Sequence, residues 1–320
     1  MARELVVSII NFRTGDMTLK CIEAVLKDMT GINGMIVVVD NCSADGSAEQ
    51  IETWIAQQPD DTPVRLIRSD RNAGFSAGHN LGMAAEAAEF YLVLNSDAVP
   101  RPGLLRGLLD AARSEPEFGL FSPVIEADDG AVQNSCFRFP GPASELVRAA
   151  RSSIVTRLLS HRDVSLGPCP APENIEWASF ACILLRRKMM QEIGPMDEGY
   201  FLYFEDVEYC LRARRAGWRI RYVPTVRVVH LQGGSGPAVS LINARKRPPR
   251  YVYSSRTRLL YQAHGTSGLL AANLLWYLGR AFKHLYLLAG RRVDSMARRE
   301  ALDIWTNFTR PLGPRFAPDE

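Results

Sequence analysis

Eight residues, Phe90-Tyr-Leu-Val-Leu-Asn-Ser-Asp97, constrain this chain more than any others. An apolar run long enough for one buried strand breaks off at Asn95 and delivers a carboxylate, Asp97, to the strand's carboxyl end. In a parallel sheet that is the end where ligands bind. Pro100 and Pro102 follow, so the chain cannot go on as a central strand, and Asp97 falls on a loop at the sheet edge. An acid placed there can hold a cation. Asn, Ser, Asp and Pro are also ordinary turn residues, and the stretch by itself fits a plain strand-ending turn.

The flanking pattern supplies the context. Short apolar strands are expected at Leu5 to Ile10, Met35 to Val39 and Val64 to Ile67, with helices at Thr18 to Met29 and Ala48 to Ala56 between them. Strands that alternate with helices imply right-handed crossovers and a mostly parallel sheet covered on both faces. After the third strand, Gly74, Gly78 and Gly82 recur every four residues. That is not the Gly-x-Gly-x-x-Gly dinucleotide fingerprint. Small residues once per turn let a helix lie close to the sheet, with Ser76 as a candidate cap for its start. A further helix (Gly103 to Ala112) and strand (Gly119 to Ile125) follow, and then a proline-bracketed stretch with a basic, helix-prone segment from Ser144 to Leu159 reads as an insertion.

Order returns at Ile175 to Leu185, an almost uncharged strand, and then at Gly199 to Trp218. There Val207, Leu211 and Arg214 recur at helical spacing, so a helix begins near Glu205 and stops at Gly217. Glu205 and Asp206 occupy its first turn, where acids commonly do no more than complement the helix dipole. The lead-in is unusually aromatic (Tyr200, Phe201, Tyr203 and Phe204), and desolvation by such neighbours raises a carboxyl pKa and improves it as a base. Two last strands, Arg219 to Val223 and Val226 to His230, lead to the glycine-rich run Leu231-Gln-Gly-Gly-Ser-Gly236. His230, at that strand end, is a candidate contact for metal or phosphate as well as an ordinary structural histidine.

With 320 residues the chain has ample core for one sizeable α/β domain, residues 1–239, and an appended element, residues 240–320. Cys21, Cys42, Cys136, Cys169, Cys182 and Cys210 include no Cys-x-x-Cys pair, the usage of free thiols in a reducing compartment, and the amino-terminal residues lack a signal-peptide pattern. A cytoplasmic location is expected. The net charge of +3 hides an asymmetry: from Ser240 onward 14 Lys and Arg face 5 Asp and Glu, leaving 24 against 30 before it. The appended element is the basic part.

Four features now stand in order: Asp40-Asn-Cys-Ser-Ala-Asp-Gly-Ser after the second strand, Arg71-Asn-Ala-Gly-Phe-Ser-Ala-Gly-His-Asn, Asn95-Ser-Asp97, and the Glu205-Asp206 helix start. Together they resemble the family 2 inverting glycosyltransferases with the A-type nucleotide-sugar fold, close to the rhamnosyltransferase-like branch, over roughly residues 4 to 235. The resemblance implies a Rossmann-like nucleotide-binding half, with Asp40, Asn11 and Phe12 around the base and Arg71 and Asn72 on nucleotide or diphosphate. It places Asn95, Ser96 and Asp97 at the Asp-x-Asp motif, whose last acid holds Mg²⁺ or Mn²⁺ on the diphosphate of a dTDP- or UDP-linked donor. It makes Asp206, with Glu205 beside it, the catalytic base, and puts His230 within reach of the metal. One position departs: Asn95 replaces the motif's first acid, so the cation would rest on Asp97, diphosphate oxygens and water. Trp177, Tyr203 and Trp218 offer faces for sugars, Trp177 foremost. The implied acceptor is a glycan or a lipid-linked sugar.

The apolar stretch from Gly268 to Ala289 is broken by Arg280, Lys283 and His284, too soon for a spanning helix. It suits an amphipathic helix on the inner face of an anionic plasma membrane, aided by Arg291, Arg292, Arg298 and Arg299, or a hairpin packed on the enzyme or on a second copy in a homodimer. No nucleic-acid module is recognisable. Two other functions remain open: a sugar-phosphate nucleotidyltransferase, for which Asn11-Phe-Arg-Thr-Gly15 is a poor phosphate loop, and an inactive sugar-nucleotide-binding subunit, which Asn95 suggests and the intact acid pair opposes.

Overall fold

The computed structural model describes residues 3–168, 170–231, 241, 244, 246–287 and 296–318. Cys169, the glycine run after Leu231, the 239/240 domain boundary, and Arg291 and Arg292 lie outside these residues. The first half alternates as expected: β1 (Arg3–Asn11), α1 (Gly15–Asp28), β2 (Gly34–Asp40), α2 (Ser47–Ala56), β3 (Val64–Arg68), α3 (Gly74–Ala84) and β4 (Ala88–Asn95). Then come β5 (Ala98–Pro100), α4 (Leu104–Ser114), β6 (Phe118–Glu126), β7 (Cys136–Phe137), α5 (Pro142–Ala150), α6 (Ser153–Leu158) and β8 (Trp177–Ala178). The chain continues with β9 (Cys182–Arg186), α7 (Arg187–Ile193), α8 (Glu205–Arg215), β10 (Arg219–His230), α9 (Arg250–Leu287) and α10 (Met296–Asp303).

One mixed sheet runs in the order β3-β2-β1-β4-β9-β6-β10-β5, and β7 pairs with β8 apart from it. Strands β3, β2, β1 and β4 are mutually parallel, whereas β9 runs antiparallel to β4 and β6. The parallel strands read as continuous Val/Ile/Leu because both faces are covered. On one side Ile9, Val38, Leu92 and Leu94 join α1 and α4; on the other Val37, Val39 and Val93 join residues of α3 and α8. A Cβ on Gly78 would press on Ile10, and one on Gly82 would meet Ser8 and Val39, so the glycine period does bring α3 close to the sheet.

Three local expectations are corrected. The stretch from Ile175 to Leu185 is two strands, because the chain bends at Ser179 to Ala181 between β8 and β9 and passes from the small sheet to the large one. The last two strands are one, β10, which absorbs Pro224 in a register shift between Val223 and Arg227. Helix α3 begins at Gly74, so Ser76 is buried in its first turn and caps nothing.

The five described cysteines are free. No helix among the described residues is long and apolar enough to cross a membrane. Helix α9 breaks at Gly265 (φ 68°). Its inner face packs on α5, where Gly279 closely approaches the backbone of Leu146 and Ala150, and a small core of Ala149, Tyr253, Trp276 and Ile304 joins α5, α9 and α10.

Candidate functional site

Strand register assembles the site. Asn11 lies opposite Asp40 at the ends of β1 and β2, and Ile10 opposite Asn95 at the end of β4. Three positions singled out above therefore share the carboxyl edge of the sheet. Asn11 is the buried hub there: its amide donates to Asp40 (2.7 Å) and Ser47 (2.8 Å), and its Oδ1 accepts from Thr18 (3.0 Å). Asp40 also accepts from Ser43 Oγ (2.5 Å) and the Ser43 backbone N–H (3.1 Å).

Above this edge is a cleft lined by Ile10, Phe12, Thr14, Asn41, Asn72 and Asn95, among others. Asn72 Oδ1 accepts from Asn41 Nδ2 (2.9 Å) and from the Gly74 backbone N–H (3.1 Å). Gly74 holds φ +83°, and a Cβ there would overlap the Phe201 carbonyl. Only glycine lets the α3 start lie against the aromatic lead-in of α8. Arg71 is exposed and does not line the cleft. Three participants were not expected from the sequence. Asn41 is buried with its Oδ1 unpartnered, and His79 is buried and bonded to Ser8 Oγ at 2.9 Å, its pKa pushed down to about 3 by burial, so that its ring is neutral. The third is Tyr251 at the start of α9, which lines the cleft together with Pro318 of the carboxyl tail.

At the cleft's end the chain turns from β4 into β5, which pairs with the end of β10, and this pairing sets His230 opposite Ala98. His230 Nε2 lies 3.2 Å from the buried Asp97 carboxylate and 3.3 Å from Asn95 Nδ2, and Ser96 Oγ is 3.1 Å from Thr14 Oγ1. Residues far apart in sequence thus meet as one carboxylate, one imidazole and one amide. No group of three or more His, Cys, Asp or Glu side chains suited to a metal exists among the described residues. The Asp97 and His230 pair still fits a hard divalent ion that takes its other ligands from phosphate oxygens and water.

Asp206 lines a second, largely apolar cavity with Trp177, Tyr203, Phe204, Val252 and Tyr253. Segment 201–206 is the wall between the two cavities, since Phe201 and Leu202 face the first and Tyr203, Phe204 and Asp206 the second. Tyr203 and Phe204 both hold left-handed backbone (φ 70° and 72°), a strain of order 1 kcal/mol or more apiece that clusters at functional sites. Tyr203 stacks on Tyr251 at 6.3 Å. Burial raises the Asp206 carboxyl to about 6, against a backbone N–H of Val207 that favours its charge. Glu205 behind it is buried, lines neither cavity, and is raised well above the carboxylate range by burial and then by the Asp206 charge. The two acids are therefore unequal in placement: burial disfavours the charged form of both, and only Asp206 faces a cavity. Trp177 stacks on Phe137 at 4.2 Å and donates to the Arg138 carbonyl, which places it beside Asp206 and away from the first cleft. Trp218 donates to Glu192 and packs on the core.

Residues 6–194 match the sequence profile described as Glycosyl transferase family 2. The chain belongs to glycosyl transferase family 2. Within the family it is 30% identical over 264 residues to N-acetylglucosaminyl-diphospho-decaprenol L-rhamnosyltransferase of Mycobacterium tuberculosis, covering 76% of this chain and 79% of that one. It is likewise 30% identical over 310 residues to the pre-mycofactocin glycosyltransferase of the same organism, covering 89% and 58%. Among solved structures, the mannosyltransferase PcManGT from Pyrobaculum calidifontis, in complex with GDP-Man and Mn²⁺, superposes with a TM-score of 0.55 at 14% identity, covering 98% of this chain and 85% of that one. The S. aureus TarS fragment with UDP-GlcNAc gives 0.54 at 14%, covering 97% and 82%. The fold is the A-type glycosyltransferase fold, and this family 2 chain is a rhamnosyltransferase-like glycosyltransferase of glycan synthesis.

Proposed function

We propose that this protein transfers a hexose, rhamnose from a dTDP donor being the best-supported case, with inversion onto a lipid-linked or polysaccharide acceptor. The observation that carries the reading is the shared 201–206 segment, whose first residues line the cleft that holds Asn95 and Ser96 and whose last residue, Asp206, lines the second cavity. A displacement with attack and departure on opposite faces needs the base and the leaving diphosphate to flank one anomeric carbon, so in this reading the acceptor cavity meets the donor cleft along this segment. Phe12 and Asn41 line the end of the cleft assigned to the nucleotide base, with Asp40 held behind them by Asn11 and Ser43, and Asn72 serves the diphosphate. Asp97 and His230, assisted by Asn95, would hold Mg²⁺ or Mn²⁺. Such an ion neutralises charge developing on the leaving diphosphate. Asp206 takes the proton of the acceptor hydroxyl, with Glu205 buried behind it at the helix start. Trp177 offers its face on the acceptor side.

The relative's acceptor is a decaprenol-linked sugar, and α9 exposes Leu270, Leu274, Leu278 and Phe282 at four-residue spacing. That stripe, one residue from basic Lys283, supports a membrane-surface contact for the extension 240–320 at the inner face of the plasma membrane. The core unit is 1–239.

Thermal melts of the purified protein with dTDP-, UDP- and GDP-sugars, each with and without Mn²⁺, test the donor side, because a ligand of the folded state raises Tm by mass action. A metal-dependent shift with one nucleotide class, together with hydrolysis of that donor, is expected. No shift and no hydrolysis with any of them would overturn the proposal.

A further inference from the structure

We propose that Arg256, on α9, is an acceptor-binding residue that selects the saccharide entering the cavity beside Asp206; this rests on the function proposed above. Arg256 lines that cavity although it belongs to the extension, outside the residues that match the family. It is only 5% exposed. Its Nη2 donates to Glu145 Oε2 (2.8 Å) and its Nη1 to Asn273 Oδ1 (3.0 Å) and the Ile304 carbonyl (3.5 Å). Its Nε is buried without a hydrogen-bond partner.

The arrangement around it is a charge-balanced frame. Glu145 also accepts from Arg148 (2.8 Å), which reaches Glu300 (2.9 Å), so two acids and two guanidinium groups join α5, α9 and α10 along one wall. Burial pushes the Glu145 carboxyl up, and the charges of Arg148 and Arg256 more than reverse this, holding it at about 2. A frame already neutral has little call for an anion. A guanidinium held by three hydrogen bonds, with its buried Nε–H still unpartnered, is instead completed by a neutral acceptor oxygen.

The other walls have matching chemistry. Trp177, Tyr203, Phe204 and Tyr253 present ring surface to the same space, and aromatic faces with a few fixed polar groups orient small polar ligands in such pockets. A sugar ring stacked there, with one of its oxygens on Arg256 Nε, would present a hydroxyl to Asp206. Arg256 would thus be a positioning and specificity residue, and the extension would complete the active cavity.

The test uses the full chain with an N-acetylglucosaminyl diphosphate on a short isoprenyl chain as acceptor probe. Arg256→Lys keeps the charge and loses the fixed Nε–H. It should raise the acceptor KM tenfold or more while donor KM and donor hydrolysis by water stay within twofold. Val252→Trp narrows the same cavity without touching the ionic frame; it should abolish transfer and probe binding in calorimetry and again spare donor hydrolysis. Should Arg256→Lys fail to fold, Val252→Trp decides. An acceptor KM unchanged in folded Arg256→Lys, or transfer and probe binding retained by Val252→Trp, overturns the proposal, as does a parallel loss of donor hydrolysis. Inorganic diphosphate displacing the probe as well as the free saccharide portion does would overturn the choice of a sugar. Failure of the wild type to bind or hydrolyse any donor would instead refute the underlying functional reading, and probe binding lost in Val252→Trp would still support the site.

Discussion

Replacing Asp206 by Asn separates chemistry from stability. Burial lifts this carboxyl from 3.8 to about 6, which at 1.36 kcal/mol per pH unit corresponds to about 3 kcal/mol disfavouring the charged form. Two consequences follow. The base must be ionised to accept a proton, so kcat/KM should fall below an acid limb near pH 6, to about one tenth of its plateau at pH 5. A carboxyl whose folded pKa lies above its unfolded value supports folding fully below pH 3.8, and this support is lost as pH rises through 6. At pH 8 ionised Asp206 therefore destabilises the fold. Because it lies half-buried at a cavity wall, solvent reduces the cost to about 1–2 kcal/mol. Asp206→Asn should lower turnover 10²- to 10⁴-fold, leave donor affinity within twofold, and raise Tm at pH 8 by roughly 2–8 °C, with no gain at pH 4. Coupled-assay pH profiles and calorimetric melts at the two pH values measure both arms. An acid limb below pH 4.5, or a variant less stable at pH 8, would refute the reasoning.

Asp97→Ala should remove the Mn²⁺ dependence of donor-induced stabilisation while leaving any shift from the nucleoside monophosphate, read by the same melts. Gly74→Ala forces a Cβ onto the Phe201 carbonyl at positive φ, so a loss of about 2 kcal/mol or more in chemical denaturation and a weakened donor KM are expected together. Glu145, held at about 2 in the fold against 4.5 ordinarily, contributes stability that is present above pH 4.5 and lost as pH falls towards 2. Denaturant titrations should show an acid loss of at most about 3 kcal/mol that Glu145→Gln abolishes.

The elements legible in sequence were those whose pattern has a single reading. Short apolar runs ending in Asn11, Asp40 and Asn95, alternating with helical patterns, read as buried parallel strands with polar ends, and register then aligns those ends at one edge. The start of α8 at Glu205 was legible for the same reason, because periodicity stops there. Less legible were breaks made by tertiary pairing. Residues 175–185 carry one almost uncharged, mostly apolar run, and only the competition between two sheets divides it into β8 and β9.

Sequence alone determined the fold class and the polar residues that end the parallel strands at one edge of the sheet, since these depend on period and on local chemistry. Only the tertiary structure decided which acid of the Glu205 and Asp206 pair can meet a substrate, because that depends on what each carboxyl faces: a cavity for Asp206, a closed interior for Glu205. It also decided that Asn95, Asp97 and His230 converge, through the pairing of β5 with β10 across more than a hundred residues. The basic extension, ambiguous by composition, packs Tyr251 against one cavity and Arg256 against the other. No local pattern encodes contacts of that separation, because they arise only when α9 lies down on α5 and α8.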